Sequence, residues 1–236
     1  MAYIDAGFHV KIDVNTAKAK SIEIAEDADL SLERDGILTL HGDGVTSLIG
    51  GDLKFVAGSG SSDPVLHFTN NHTLSTIPNL QIPARKVLGE VQGVVRGDSG
   101  KVLTLTHSGS SRLALMKNLL IEIALVNNEV VNGDYGTNTL ADNLKSGSGL
   151  WKATNGTLVV NVQVEGGGTW EVGADGTIEV NMDLSDITGA IHVRNGGTLL
   201  LNASMCSPGA LDFEEGVIEL AAATPAITFS IGGGCP

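Results

Sequence analysis

Apolar and polar residues alternate with period two along much of this chain, and near its C-terminus the alternation itself recurs. GTLVVN from Gly156, GTIEVN from Gly176, GTLLLN from Gly197 and GVIELA from Gly216 start 20, 21 and 19 residues apart. A second pattern follows 12 or 13 residues into most repeats: GTWEV from Gly168, GAIHV from Gly189, GALDF from Gly209, then PAITF from Pro225. Strict alternation marks half-buried strands, because successive side chains leave opposite faces. Leu158, Ile178, Leu199 and Ile218 are therefore predicted to form one inward column. Trp170, Ile191, Leu211 and Ile227 form a second, with Val172, Val193, Phe213 and Phe229 two places on. Val159, Glu179, Leu200 and Glu219 face outward from the first strand, and Glu171, His192, Asp212 and Thr228 from the second.

A unit of about 20 residues cannot bury a core alone, so neighbours must stack. Equivalent strands running in one direction pair parallel, through crossovers that are overwhelmingly right-handed. The predicted fold is all-β: a single-stranded right-handed parallel β-helix of about 20 residues per coil, with a less regular middle section. One elongated domain is expected over 1–236. It comprises N-terminal strands and a cap in 1–57, irregular coils with loop excursions in 58–150, and regular coils in 151–236. In the first section HVKIDVN, SIEIAED, ADLSLER, GILTLHG and GDLKFVA read as short strands, and Ile22, Leu30 and Leu38 are spaced by eight. In the middle, VLHFT, LQIPA, KVLTLT and LLIEIALV are strand candidates. SSRLALMKNLLIEIALV also admits a helical turn, because Leu, Ala, Met and Lys favour helix. TIPNLQIPARK reads as a loop excursion or an edge.

Asn161, Asn181 and Asn202 share the sixth place of the repeat, directly after the strand. Stacked amides can bond from coil to coil. The alternative is three independent turn asparagines, since Asn tolerates left-handed backbone.

Composition then narrows the function classes. Hydrophobic residues make up 42% of the 236 residues and aromatic residues 4%, so the core must be aliphatic. With 14 Lys+Arg against 27 Asp+Glu the net charge is −13. No basic footprint for nucleic acid or anionic lipid exists on that balance. No run approaches the ~20 apolar residues of a membrane span. MAYIDAGFHVKIDV lacks the charged start and apolar core of a signal peptide. The expectation is a protein made and kept in a cytoplasm, or one whose leader was removed. Cys206 and Cys235 are too few for a disulfide framework or a thiolate zinc site; one late disulfide and two free thiols both remain open.

No residue pattern specifies catalysis. The six histidines, His9, His41, His67, His72, His107 and His192, show no HxH or HExxH spacing, and His67 and His72 read as surface loop residues. The acidic stretches 25–29 and 33–36 lack a calcium-loop pattern. Glu171, Glu179, Asp212 and Glu219 offer carboxylates for glycoside chemistry, but solvated outward charge explains them. Trp151 is the one tryptophan not assigned inward. Arg96-Gly97-Asp98 spells an integrin-recognition tripeptide in a turn-like loop, and NHT, NGT and NAS match glycosylation acceptors. The expectation is no catalytic, cofactor or metal site.

GTLVVN, GGGTWEVGADGTIEVN and NGGTLLLN resemble the repeats of bacterial autotransporter passengers and β-helical phage virion proteins. The strand-rich opening is similar to the start of such surface and virion β-helices. The resemblance covers roughly residues 7–57 and 150–231 and transfers no catalytic residue. It implies a non-enzymatic structural protein of a phage virion: a capsid decoration, head fibre or tail component, assembled in the host cytoplasm among other virion proteins. A homo-oligomer, with a trimer favoured, would form through outward apolar positions such as Val159 and Leu200. A secreted adhesin or passenger fragment, extracellular or on the cell surface, is the alternative. A polysaccharide-degrading β-helix enzyme is the second alternative.

Overall fold

The computed structural model describes residues 1–56, 59–76, 92–107, 112–115, 119–128, 130–133, 136–141, 145–182, 186–187, 189–203, 205–207, 211–221 and 227–229. Every regular element among them is a β-strand, and parallel strands stack as a β-solenoid with about 21 residues per turn. The helical alternative for 110–126 is overturned where the chain is described. Arg112–Leu115, Leu119–Glu122 and Ala124–Asn127 are strands. Ile121, Ile123 and Leu125 alternate into the core there, and burial outweighs a helix propensity of a few tenths of a kcal/mol. The candidate strand LQIPA lies outside the described residues.

The chain forms two compact units, Met1–Leu113 with Asn118–Val126, and Ala114–Lys117 with Asn127–Pro236. In the first unit each complete coil contributes one strand to each of three faces. Ala2–Ile4, Ile22–Ile24, Val45–Ile49, His72–Thr76 and Val102–His107 stack on one face. His9–Ile12, Asp29–Glu33 and Asp52–Val56 stack on the second. Ala17–Ala19, Ile37–Leu40, Val65–Phe68, Gly93–Gly97 and Leu119–Glu122 stack on the third. The eight-residue spacing of Ile22, Leu30 and Leu38 is thus the step from face to face. All three side chains point inward and are buried. Coil length varies here: Ala2 faces Ile22, 20 residues on, whereas His72 faces Leu103, 31 residues on.

The second unit is regular. Val130–Gly133, Leu150–Thr154, Thr169–Gly173, Ile191–Arg194 and Leu211–Glu214 form one face. Gly136–Leu140, Gly156–Val160, Thr177–Val180, Thr198–Leu201 and Val217–Leu220 form the next. Leu158, Ile178 and Leu199 are successive register partners and buried, as are Trp170 and Ile191. Each such side chain contributes on the order of 1.5–3 kcal/mol. Asn138, fully buried, heads the Leu158 column.

The corner between these faces is laddered too. Asn155 N–H donates to Ala174 O at 3.1 Å, Ala174 N–H to Asn195 O at 3.2 Å, and Asn195 N–H to Glu214 O at 3.1 Å. Asn155, Ala174, Asp175, Asn195 and Glu215 all take positive φ there.

Two column assignments change. Ile218 keeps its register with Leu199 but is only half-buried, while Phe213 and Leu220 are 52% and 51% exposed. They sit on the last described rungs of their faces, and an inward side chain is buried only if another rung covers it. Ile227 does not follow Leu211. The strand Ile227–Phe229 pairs with Met205–Ser207, Ile227 facing Met205. Pro225 comes only nine residues after Gly216, which places its strand earlier in the coil than GTWEV or GAIHV. Leu211 faces Ile191 in backbone register; the side chains of Leu211 and Ile227 lie outside the described residues.

Candidate functional site

The residues singled out by sequence meet on two outward surfaces of the second unit. After the strands of one face, Asn161, Asn181 and Asn202 stand one coil apart. Asn181 Nδ2 donates to Asn161 Oδ1 at 2.8 Å, and Asn202 Nδ2 to Asn181 Oδ1 at 2.6 Å. Glu179 Oε1 accepts from both Asn181 and Asn202, at 3.1 and 3.0 Å, so this carboxylate is part of the ladder. Val159 and Leu200 flank Glu179 in register and are half-buried, outward side chains. Thr137, Thr157, Thr177 and Thr198 run beside them as a second column. The signal for that column was the Thr at the second place of three repeats, which the search for carboxylates and histidines passed over.

The neighbouring face carries a charged column of Lys152, Glu171, His192 and Asp212, successive register partners. Lys152 pairs with Glu171. Arg194 Nη2 donates to Asp212 Oδ2 at 2.7 Å, and His192 Nδ1 lies 3.1 Å from the same oxygen. The Arg194 guanidinium, then His192, hold the Asp212 carboxyl below the usual range. A general acid needs the opposite shift. Glu171 with Lys152 and Asp212 with Arg194 are coil-to-coil ion pairs. Trp151, expected to be free of the core, instead faces Trp170 in register and is 1% exposed. It offers no platform to a ligand.

The first unit places the remaining candidates. Arg96 and Gly97 lie in the strand Gly93–Gly97, not in a loop. Arg96 Nε donates to Glu122 Oε2 at 2.9 Å, and Asp98 Oδ1 lies 2.8 Å from His67 Nε2. Coil stacking extends the backbone there, and both charged ends of the tripeptide are engaged within the fold. His72 is 3% exposed, not on the surface, because the alternation of HTLST turns it inward. Its Nε2 lies 2.7 Å from Ser47 Oγ, which also accepts from Ile22 N–H at 3.0 Å. Ser47 is itself fully buried, so this serine–histidine pair is sealed from any substrate. His67 and His72 do not pair with each other.

Of the acidic stretches, Asp29 is held by Lys54 at 3.0 Å and by His9 at 2.5 Å. Burial works to raise its pKa, but those two partners outweigh it and leave it lowered. No group of three His, Cys, Asp or Glu suited to a metal ion occurs among the described residues. Asn71 Oδ1 accepts from Val102 N–H, Asn155 turns the corner, and Asn202 belongs to the ladder, so the three glycosylation-like asparagines have structural roles. Cys206 lies on Met205–Ser207; its side chain and Cys235 are outside the described residues.

No family model, no curated protein and no solved structure matches the chain. The class defined by its geometry is the parallel β-solenoid.

Proposed function

We propose that the protein is a non-enzymatic structural component of a phage virion, a capsid decoration, head fibre or tail component, acting as a homo-oligomer. The observation that carries this reading is how the outward ionisable groups are used. Lys152 with Glu171, Arg194 with Asp212, Arg96 with Glu122 and His67 with Asp98 pair across coils. Such pairing stiffens a surface and leaves no poised acid, base or nucleophile among them. The Thr column with Val159 and Leu200 offers a regular, half-apolar face of the kind that packs against a second copy, with a trimer favoured. Assembly in a host cytoplasm among other virion proteins completes the proposal.

A mass-spectrometric inventory of purified particles tests it, with sedimentation of the isolated protein beside it. The expected result is the chain present at many copies per particle and a closed oligomer in solution. Recovery only from the outer surface of bacterial cells would favour the secreted adhesin and overturn the virion reading. A clean monomer at high concentration would remove the oligomer.

A further inference from the structure

The first unit carries a pocket of about 590 Å³ on the outside of its third face, a volume that accommodates one or two sugar rings. Its floor is aliphatic. Ile37, Val65 and Val94 are successive register partners, so three branched side chains lie on adjacent rungs. Polar groups line it too: Arg96, two residues beyond Val94 on the same strand, and Asn15 and Asp63, which precede the strands Ala17–Ala19 and Val65–Phe68.

The Asp63 wall is braced. Asp35 sits at φ 62, and its carboxylate accepts from Ser62 N–H at 2.8 Å and Ser61 N–H at 3.2 Å, while its own N–H donates to Ser62 O at 2.9 Å. Gly60 fits against this brace with no room to spare, since an added Cβ would lie 2.2 Å from Asp35 Oδ2. Asp35 is thus spent on the loop that presents Asp63. The Ser62 and Ser61 amides hold its carboxyl low, so it is not the protonated acid that glycoside cleavage requires.

We propose that this pocket binds, without cleaving, a neutral sugar unit carrying adjacent hydroxyls. Asp63 supplies carboxylate oxygens for a vicinal diol, Asn15 an amide that both donates and accepts, and Arg96 further donors. Arg96 is already paired through Nε with Glu122, so it brings N–H groups with its charge compensated. Two carboxylates line the pocket against that compensated cation, which disfavours an acidic sugar. The aliphatic floor suits the C–H face of a pyranose ring. The site does not depend on whether the protein is assembled into a particle, so the two proposals stand or fall separately.

The test is titration of the full chain by NMR with maltose, lactose and mannobiose, with sialyllactose as the acidic probe, alongside an array of neutral glycans. Binding of at least one neutral glycan is expected. It should weaken about tenfold or more in both Asp63→Ala and Asn15→Ala, with melting temperature unchanged. Should Asp63→Ala unfold, Asp63→Asn serves, since it keeps the shape and removes the charge. No binding up to roughly 10 mM, binding of the acidic probe alone, or binding indifferent to these variants would overturn the proposal.

Discussion

Trp151 stacks on Trp170 one coil away, with ring centroids 5.9 Å apart and planes inclined by 26°, inside the second unit. Parallel in-register pairing brings them together: Leu150 faces Thr169, so the next residues face each other inward. Both rings are at most 2% exposed. Truncating either to Ala should cost about 3–5 kcal/mol, through lost burial and the cavity left behind. The double variant should cost less than the sum, because each single change already removes the stack. Urea unfolding followed by circular dichroism measures all three, and additive losses would show that the rings do not interact.

The asparagine ladder makes a positional prediction. Asn181 is the middle rung, donating to Asn161 and Glu179 and accepting from Asn202. Asn161 enters the ladder only as an acceptor at its end. Asn181→Ala should therefore destabilise by about 1–2 kcal/mol and Asn161→Ala by less than about 1 kcal/mol. Equal effects in chemical denaturation would mean the three side chains act separately.

How far the sequence disclosed this arrangement depended on coil length. In the second unit Thr157, Thr177 and Thr198 pair at nearly constant intervals, so the repeat and the inward column through Leu158, Ile178 and Leu199 were legible as text. In the first unit the interval stretches from Ala2–Ile22 to His72–Leu103, and loops between strands hide the period. Only face-to-face spacing, as in Ile22, Leu30 and Leu38, survived there. Burial of His72 and Trp151 was missed for one reason. Alternation in HTLST and LWKAT offers two sets of side chains, and only register with Leu103 and Trp170 on the neighbouring coils decides that the set holding His72 and Trp151 faces in. The pocket was illegible because Asn15, Asp63 and Arg96 come from three different coils.

Two corner positions of the second unit should respond in opposite ways to substitution. At Gly176 a Cβ would sit 2.3 Å from the carbonyl oxygen of Ala153, a backbone atom on the preceding coil. Gly176→Ala must push two coils apart and should destabilise by about 3 kcal/mol or more. Ala174, by contrast, has φ 48, a left-handed conformation that costs an L-residue about 1–2 kcal/mol. Ala174→Gly relieves that strain while loosening the unfolded chain, so it should be neutral or stabilising by up to about 1 kcal/mol. Thermal unfolding of the pair checks both signs, and a destabilised Ala174→Gly would show that the methyl group is needed for packing.

The buried His72 gives the first unit a pH dependence near neutrality. Burial, with the Phe68 ring 5.1 Å away, holds its imidazole below the ordinary value. In the unfolded chain it titrates near 6.5. Between those two values the unfolded chain binds the proton more readily than the fold does, so stability falls as pH is lowered through this window and is fully present above it. Asp29, Asp35 and Asp212, whose carboxyls are held low, lose their contribution only as pH falls below their unfolded value of about 3.9, well beneath that window. Urea midpoints for the wild-type chain should thus decline between about pH 7 and 5. His72→Gln keeps a polar side chain facing Ser47 but cannot titrate, so it should flatten this slope even if it lowers stability throughout. A slope unchanged in His72→Gln would assign the dependence to other groups and sink this account of the buried imidazole.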